Sequence, residues 1–183
     1  MRVIGIVGLP GSGKSEAATV ARELEIPVVA MGDVIRQACR DRSLDPAAHH
    51  GRVARELREE GGPAAIAERS LPVIERALDE SSTVLVEGIR SGVEVERFEA
   101  SFEDSFTLVA IEAPFEMRAE RITARGRDTP VAEGGEGLRE RDERELGFGM
   151  GNAIERADIT IENIDSLAAF HDRIQTLLAS EEG

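Results

Sequence analysis

Apolar residues along the chain fall into two patterns that take turns. Short β-branched runs, of which Arg2-Val3-Ile4-Gly5-Ile6-Val7 is the first, read as parallel strands buried on both faces. Similar runs predict a short strand over 26–31 and further strands over 83–86, 106–111 and 157–161. Between them apolar positions recur at helical spacing, beginning with Ala17, Ala18, Ala21 and Leu24, which predict a helix over 15–24. A helix capped by Asp33 and running to about residue 42 follows, then helix-rich stretches over 47–60 and 64–80 separated by Gly61-Gly62-Pro63. Later segments predict a charged helix over 115–125, a polar glycine-bearing loop over 126–137, a helix over 138–146 and a closing helix over 166–178. Strands alternating with helices predict a three-layer α/β fold, a parallel sheet of about five strands covered on both faces.

The turn after the first strand carries the chemistry. Gly8-Leu9-Pro10-Gly11-Ser12-Gly13-Lys14-Ser15 matches the phosphate-binding pattern G-x-x-x-x-G-K-[ST] in full, between a strand and a helix. Glycines there allow a ring of backbone amides to cradle polyphosphate, Lys14 supplies a point charge, and the Ser15 hydroxyl is a magnesium ligand. Lys14 is also the only lysine; every other long cation is arginine. A nucleoside triphosphate, ATP with magnesium, is therefore the expected ligand.

Charge and length narrow the class. The 183 residues predict one domain, and the single cysteine, Cys39, excludes an intramolecular disulfide or a cysteine metal cluster. With 36 acidic and 22 basic residues the net charge is −14, which repels nucleic acid and anionic membrane. The first strand begins at Arg2 and no apolar run is long enough to span a bilayer, so the expectation is a cytoplasmic protein without a membrane partner. Acid excess with almost no lysine suits concentrated salt and suggests a halophile, although arginine-favouring base composition would lower lysine by itself. Oligomeric state leaves no mark on the sequence.

Phosphoryl transfer needs cations around the transferred group and two substrates held in line. Arg118, Arg121 and Arg125 recur along one helical face, with Arg127 just beyond, so their guanidinium groups could converge on one anion. Glu87, at the carboxyl end of a buried strand, is the candidate second group on the metal side, through water, and Arg90 a candidate grip on an acceptor phosphate. Asp33 and Arg36 fall at the same sheet edge and extend the acceptor side. His49, His50 and His171 read as structural or surface residues, and the run Arg139, Arg141, Asp142, Arg144, Glu145 as a solvated helix. The segments at about 32–80 and 115–150 exceed what the core needs and are candidate acceptor-binding and lid segments.

These features resemble the P-loop nucleoside and nucleotide kinases, especially the adenylate-kinase-like branch, over nearly the whole chain. Met31-Gly32-Asp33-Val34-Ile35-Arg36 is similar to that branch's Thr-Gly-Asp-x-x-Arg segment, which implies that Arg36 binds acceptor phosphate. Glu87-Gly88-Ile89-Arg90 is similar to its Asp-Gly-Phe-Pro-Arg turn, with Glu for Asp, no proline and one residue fewer. Arg121-Ile122-Thr123-Ala124-Arg125 resembles the lid entry, where the first arginine would stack on the donor adenine and the second meet phosphate. The ending Ala157-Asp158-Ile159-Thr160-Ile161-Glu162-Asn163 instead resembles dephospho-coenzyme A kinases. The mixture implies a phosphotransferase acting on a small phosphorylated acceptor, a nucleoside monophosphate first and dephospho-coenzyme A as the alternative. An ATPase switch or assembly factor is a further alternative, and a guanine-reading GTPase is excluded because Asn-Lys-x-Asp requires a second lysine.

Overall fold

Strand β1 (Arg2–Val7) is apolar throughout because it lies in mid-sheet, paired in parallel with β3 (Thr83–Glu87) on one side and β4 (Phe106–Glu112) on the other. The computed structural model describes residues 1–125 and 137–180, and within them β2 (Val28–Ala30) and β5 (Ile159–Glu162) complete the sheet in the order β2-β3-β1-β4-β5. All these pairings are parallel, and the register carries Ile6 opposite Glu87 on β3 and Val109 on β4. The chain turns from one half of the sheet to the other around β1, so the carboxyl end of β1 is the switch point at which open α/β sheets bind ligands.

Alternating side chains feed two cores. Ile4, Ile6, Leu85, Val109 and Ile111 pack against α1 (Lys14–Glu23) and α9 (Leu167–Ala179), with Phe170 fully buried between them. Val3, Val7, Val84, Val86, Leu108 and Ala110 face the larger layer. That layer comprises α2 (Met31–Asp41), α3 (Pro46–Gly61), α4 (Ala65–Glu80), α5 (Gly92–Phe102) and α8 (Met150–Glu155). Gly5 interrupts β1 because a Cβ there would stand 2.8 Å from the Ile89 side chain and 2.9 Å from that of Phe106. Helices α6 (Phe115–Arg125) and α7 (Leu138–Gly147) lie on the β4 side of the phosphate-binding turn.

The observed elements depart from the sequence reading in three places. Helix α2 starts at Met31 with Ala30 as its cap, so Asp33 is a first-turn residue and not the N-cap. Helix α5 was not anticipated; Ser91 caps it by accepting from the Glu94 amide. The short helix α8 was also unforeseen, and its left-handed Gly149 entry separates it from α7. Among the described residues no helix is long and apolar enough to cross a membrane.

Candidate functional site

The phosphate-binding turn has the geometry its residues imply. Gly8 and Gly13 take φ of 149° and 123°, and a Cβ would meet the Ile111 carbonyl oxygen at 2.3 Å in the first case and Asn163 Nδ2 at 2.4 Å in the second. Only glycine fits both the backbone and the space. Helix α1 opens at Lys14, which directs its unsatisfied amides and positive dipole end at the turn. Ser12 Oγ is buried with no hydrogen-bond partner among the described residues, the state expected of a donor that lacks an anion. Ser15, one residue into the helix, is exposed.

Lys14 folds back on its own loop. Its Nζ donates to the carbonyl oxygens of Gly8 at 2.5 Å and Leu9 at 3.0 Å. Burial lowers its pKa from 10.5 to about 8, with Arg90 and Arg118 adding to the fall and Glu145 and Glu87 opposing it. A polyphosphate would restore the charge balance that this cation lacks.

Asn163, at the end of β5, braces the turn: its Nδ2 donates to the Ser12 carbonyl at 2.8 Å, and Arg121 Nη2 donates to the Asn163 carbonyl at 2.8 Å. Asp158 of the same motif accepts from the Leu108 amide at 2.7 Å, fixing β5 against β4. The motif is thus a scaffold for the loop. Beside it lies a recess of about 440 Å³ whose walls mix the apolar Met117, Ala124 and Leu167 with the guanidinium of Arg121 and the carboxylates of Glu16 and Asp165.

Arg118 does not join Arg121 around an anion. It is 5% exposed, pairs with both oxygens of Asp142 at 2.8 and 2.7 Å, and donates to the carbonyls of Ala113 and Pro10. It therefore ties α6, α7 and the loop together. Arg125 ends α6, and its side chain, like Arg127, lies outside the described residues.

Helix α7 corrects the reading of its charges as a solvated face. Asp142 holds Arg118, and Glu145, 7% exposed, pairs with Arg90 at 3.3 Å and Arg144 at 3.9 Å. Arg90, Arg141 and Glu145 line a cleft of about 320 Å³ together with Lys14 and Ser15. One wall is the phosphate cradle, the other the turn Gly88-Ile89-Arg90 with α7.

Beyond Arg90 lies the segment that the sequence reading expected to bind an acceptor. Asp33 pairs with Arg36 at 2.6 Å and both are largely exposed. Arg58 pairs at 3.3 Å with Glu94, which is 1% exposed and also accepts from the Arg90 amide at 2.8 Å. His50 is not an isolated surface residue: burial lowers its pKa, a backbone hydrogen bond with Gly32 opposes this, and Arg36, Arg90 and Arg58 add to the fall. Glu87 pairs with Arg22 at 3.6 Å, at the strand end beside the cleft. The sequence reading passed over Arg58 and Glu94 and assigned Arg141 and Glu145 to a solvated helix; the Ser91-Gly92-Val93-Glu94 capping pattern was the one local signal for Glu94.

Sheet order and cradle define the class: a P-loop NTPase with the kinase-like α/β fold, and the AAA domain family model (AAA_17) matches residues 7–136. The chain belongs to the UPF0200 family. It is 61% identical over 181 residues to a UPF0200 protein of Halobacterium salinarum, covering 99% of this chain and 94% of that protein. In structure it is similar to TT1252 from Thermus thermophilus, with TM-score 0.69 and 21% identity over 100% of this chain and 98% of that one. It is similar too to a shikimate kinase from Bacteroides thetaiotaomicron, with TM-score 0.60 and 16% identity over 98% and 99% of the two chains. At these identities the structural likeness establishes the fold alone.

Proposed function

We propose that the protein is an ATP-dependent phosphotransferase that moves the γ-phosphoryl group to a small acceptor carrying an anionic group. One observation carries this: the phosphate cradle and a second, arginine-bearing wall face each other across a single cleft. The triphosphate would lie along Gly8 to Ser15 with its amides and Lys14 on β- and γ-oxygens. Its base would enter the recess beside Arg121, where Met117 and Leu167 offer apolar contact and the guanidinium a stacking surface. Ser15 directly, and Glu87 through water, would hold magnesium, whose charge would neutralise phosphate oxygens. Arg125, from the end of α6, is the proposed cation on the transferred group. The acceptor's anionic group would meet Arg90 and, beyond it, Asp33 and Arg36, whose exposed ion pair exchanges readily for a ligand. The shikimate kinase likeness supports a small acceptor.

A nucleoside monophosphate and a phosphorylated alcohol such as dephospho-coenzyme A would both enter against Arg90. They differ in the attacking atom, a phosphate oxygen in the first and a hydroxyl in the second. The test is ADP release from MgATP, alone and with a panel of both kinds of acceptor. Arg36→Ala and Arg90→Ala should raise the acceptor KM at least tenfold while leaving MgATP binding within about twofold. Full-rate hydrolysis without acceptor that survives both replacements would make the protein an ATPase switch instead.

A further inference from the structure

Each acceptor-side arginine already has a carboxylate partner: Arg36 with Asp33, Arg58 with Glu94 and Arg90 with Glu145. The pairs differ in permanence. Asp33 is open to water, whereas Glu94 is 1% exposed and Glu145 7%, so the last two are built into the wall. His50 beside them adds no charge at neutral pH, because burial and the neighbouring arginines hold it neutral. The wall facing the triphosphate thus carries carboxylates that offset part of its cationic charge, to which Arg141 and Arg144 of α7 add.

Glu145 is the part of that balance that reaches the donor. It lines the same cleft as Lys14 and Ser15, and it is the acid that acts most strongly on the Lys14 charge. The Arg118–Asp142 pair, one helical turn earlier on α7, fixes its position over the loop. A phosphate nucleophile would bring about two negative charges beside this carboxylate and the γ-phosphate together. Like-charge contacts of this kind oppose the approach of a phosphate to that carboxylate. A hydroxyl nucleophile carries no such cost, and its proton needs an acceptor at this place. Among the described residues that line the cleft, Glu145 is the carboxylate, between Lys14 and Arg90, whereas Glu87 and Asp33 do not line it.

Resting on the phosphotransferase reading, we propose that the attacking atom is a hydroxyl of a phosphorylated alcohol and that Glu145 is the catalytic base that receives its proton. The hydroxyl oxygen forms a bond to the γ-phosphorus, the bond from that phosphorus to the β–γ bridging oxygen breaks, and ADP leaves with the electron pair. The hydroxyl proton passes to Glu145 and from there to water. Arg90 holds the carboxylate in place at 3.3 Å, so the pair that disfavours a phosphate nucleophile orients the base for an alcohol.

The experiment compares wild type, Glu145→Gln and Glu145→Asp. MgATP binding by calorimetry comes first, because failure of the wild type to bind removes the phosphotransferase reading itself. Acceptor-free hydrolysis of MgATP follows, with water as the smallest hydroxyl nucleophile, and then turnover with dephospho-coenzyme A, sugar phosphates and nucleoside monophosphates. Phosphorus NMR of the product separates a phosphate ester from a phosphoanhydride. The expected result is an ester product and a loss of at least about 10²-fold in kcat in Glu145→Gln, with acceptor-free hydrolysis falling in parallel and MgATP affinity unchanged or tighter. Glu145→Asp should retain an intermediate rate, and it decides the matter if the Gln variant does not fold. The proposal is overturned by an anhydride product, by unchanged or faster hydrolysis in Glu145→Gln, or by bound MgATP with no turnover of water or any alcohol above background.

Discussion

Replacing Lys14 with Met should stabilise the nucleotide-free protein while removing its response to ATP. The ammonium is held inside its loop by the Gly8 and Leu9 carbonyls, and burial brings its pKa from 10.5 to about 8. That fall corresponds to at most about 3 kcal/mol of folding free energy spent on keeping the charge. Water still reaches part of the side chain and the variant gives up two hydrogen bonds, so about 1–2 kcal/mol of net stabilisation is expected, or roughly 3–6 °C in Tm for a chain of this size. The direction with pH is fixed by the lowered pKa. Below pH 8 both folded and unfolded chains carry the proton and the full cost is present; between 8 and 10.5 the unfolded chain binds more protons, so wild-type stability rises with pH. The gap between variant and wild type should therefore be widest near pH 7 and shrink towards pH 10, and self-repulsion of the acidic surface largely cancels in the comparison.

Nucleotide reverses the order. At MgATP near 100 times its Kd the wild type should gain about 2.7 kcal/mol, and the variant, lacking the cation on the β- and γ-phosphates, much less at the same concentration. Differential scanning fluorimetry over this pH range, with and without MgATP, reads both effects. A variant less stable than wild type at pH 7 without nucleotide, or one with the full MgATP response, would refute the account of Lys14 as a strained cation waiting for phosphate.

Arg118→Ala leaves Asp142 as an uncompensated, mostly buried charge and should cost about 3–5 kcal/mol by urea denaturation, with much of the loss recovered in Arg118→Met combined with Asp142→Leu; a loss under 1 kcal/mol would return Arg118 to the role of a surface residue. The net charge of −14 predicts a Tm that climbs with KCl from low ionic strength into the molar range, and a flat profile would remove the case for adaptation to salt.

What was legible in the sequence is what local geometry dictates. The cradle could be read because amides can ring a phosphate only where glycine permits φ near 149° and 123°, and β1 because a mid-sheet strand has no solvent face to alternate towards. Helix α5 was concealed by the alternation Val93-Glu94-Val95, which mimics a strand, although Ser91 and Glu94 carried a capping signal. Helix α7 was legible as a helix over 138–146, but the way it docks was not. Its sequence is the most polar of the helices flanking the cleft, and Asp142 and Glu145 are shielded only because arginines distant in the chain, Arg118 and Arg90, meet them, while Glu140 and Glu143 stay exposed. Periodicity detects burial by apolar character, so a helix that docks through ion pairs presents the pattern of a solvated one. The same blindness hid the pairs beyond Arg90: Arg58 meets Glu94 across 36 residues of sequence, and His50 meets Gly32 and Arg36 only when α3 packs against α2. A phosphate loop is written in consecutive residues because one short backbone segment must bind one ligand group. The residues that would choose the second substrate are drawn from α2, α3, α5 and α7, and only the fold brings their charges into balance.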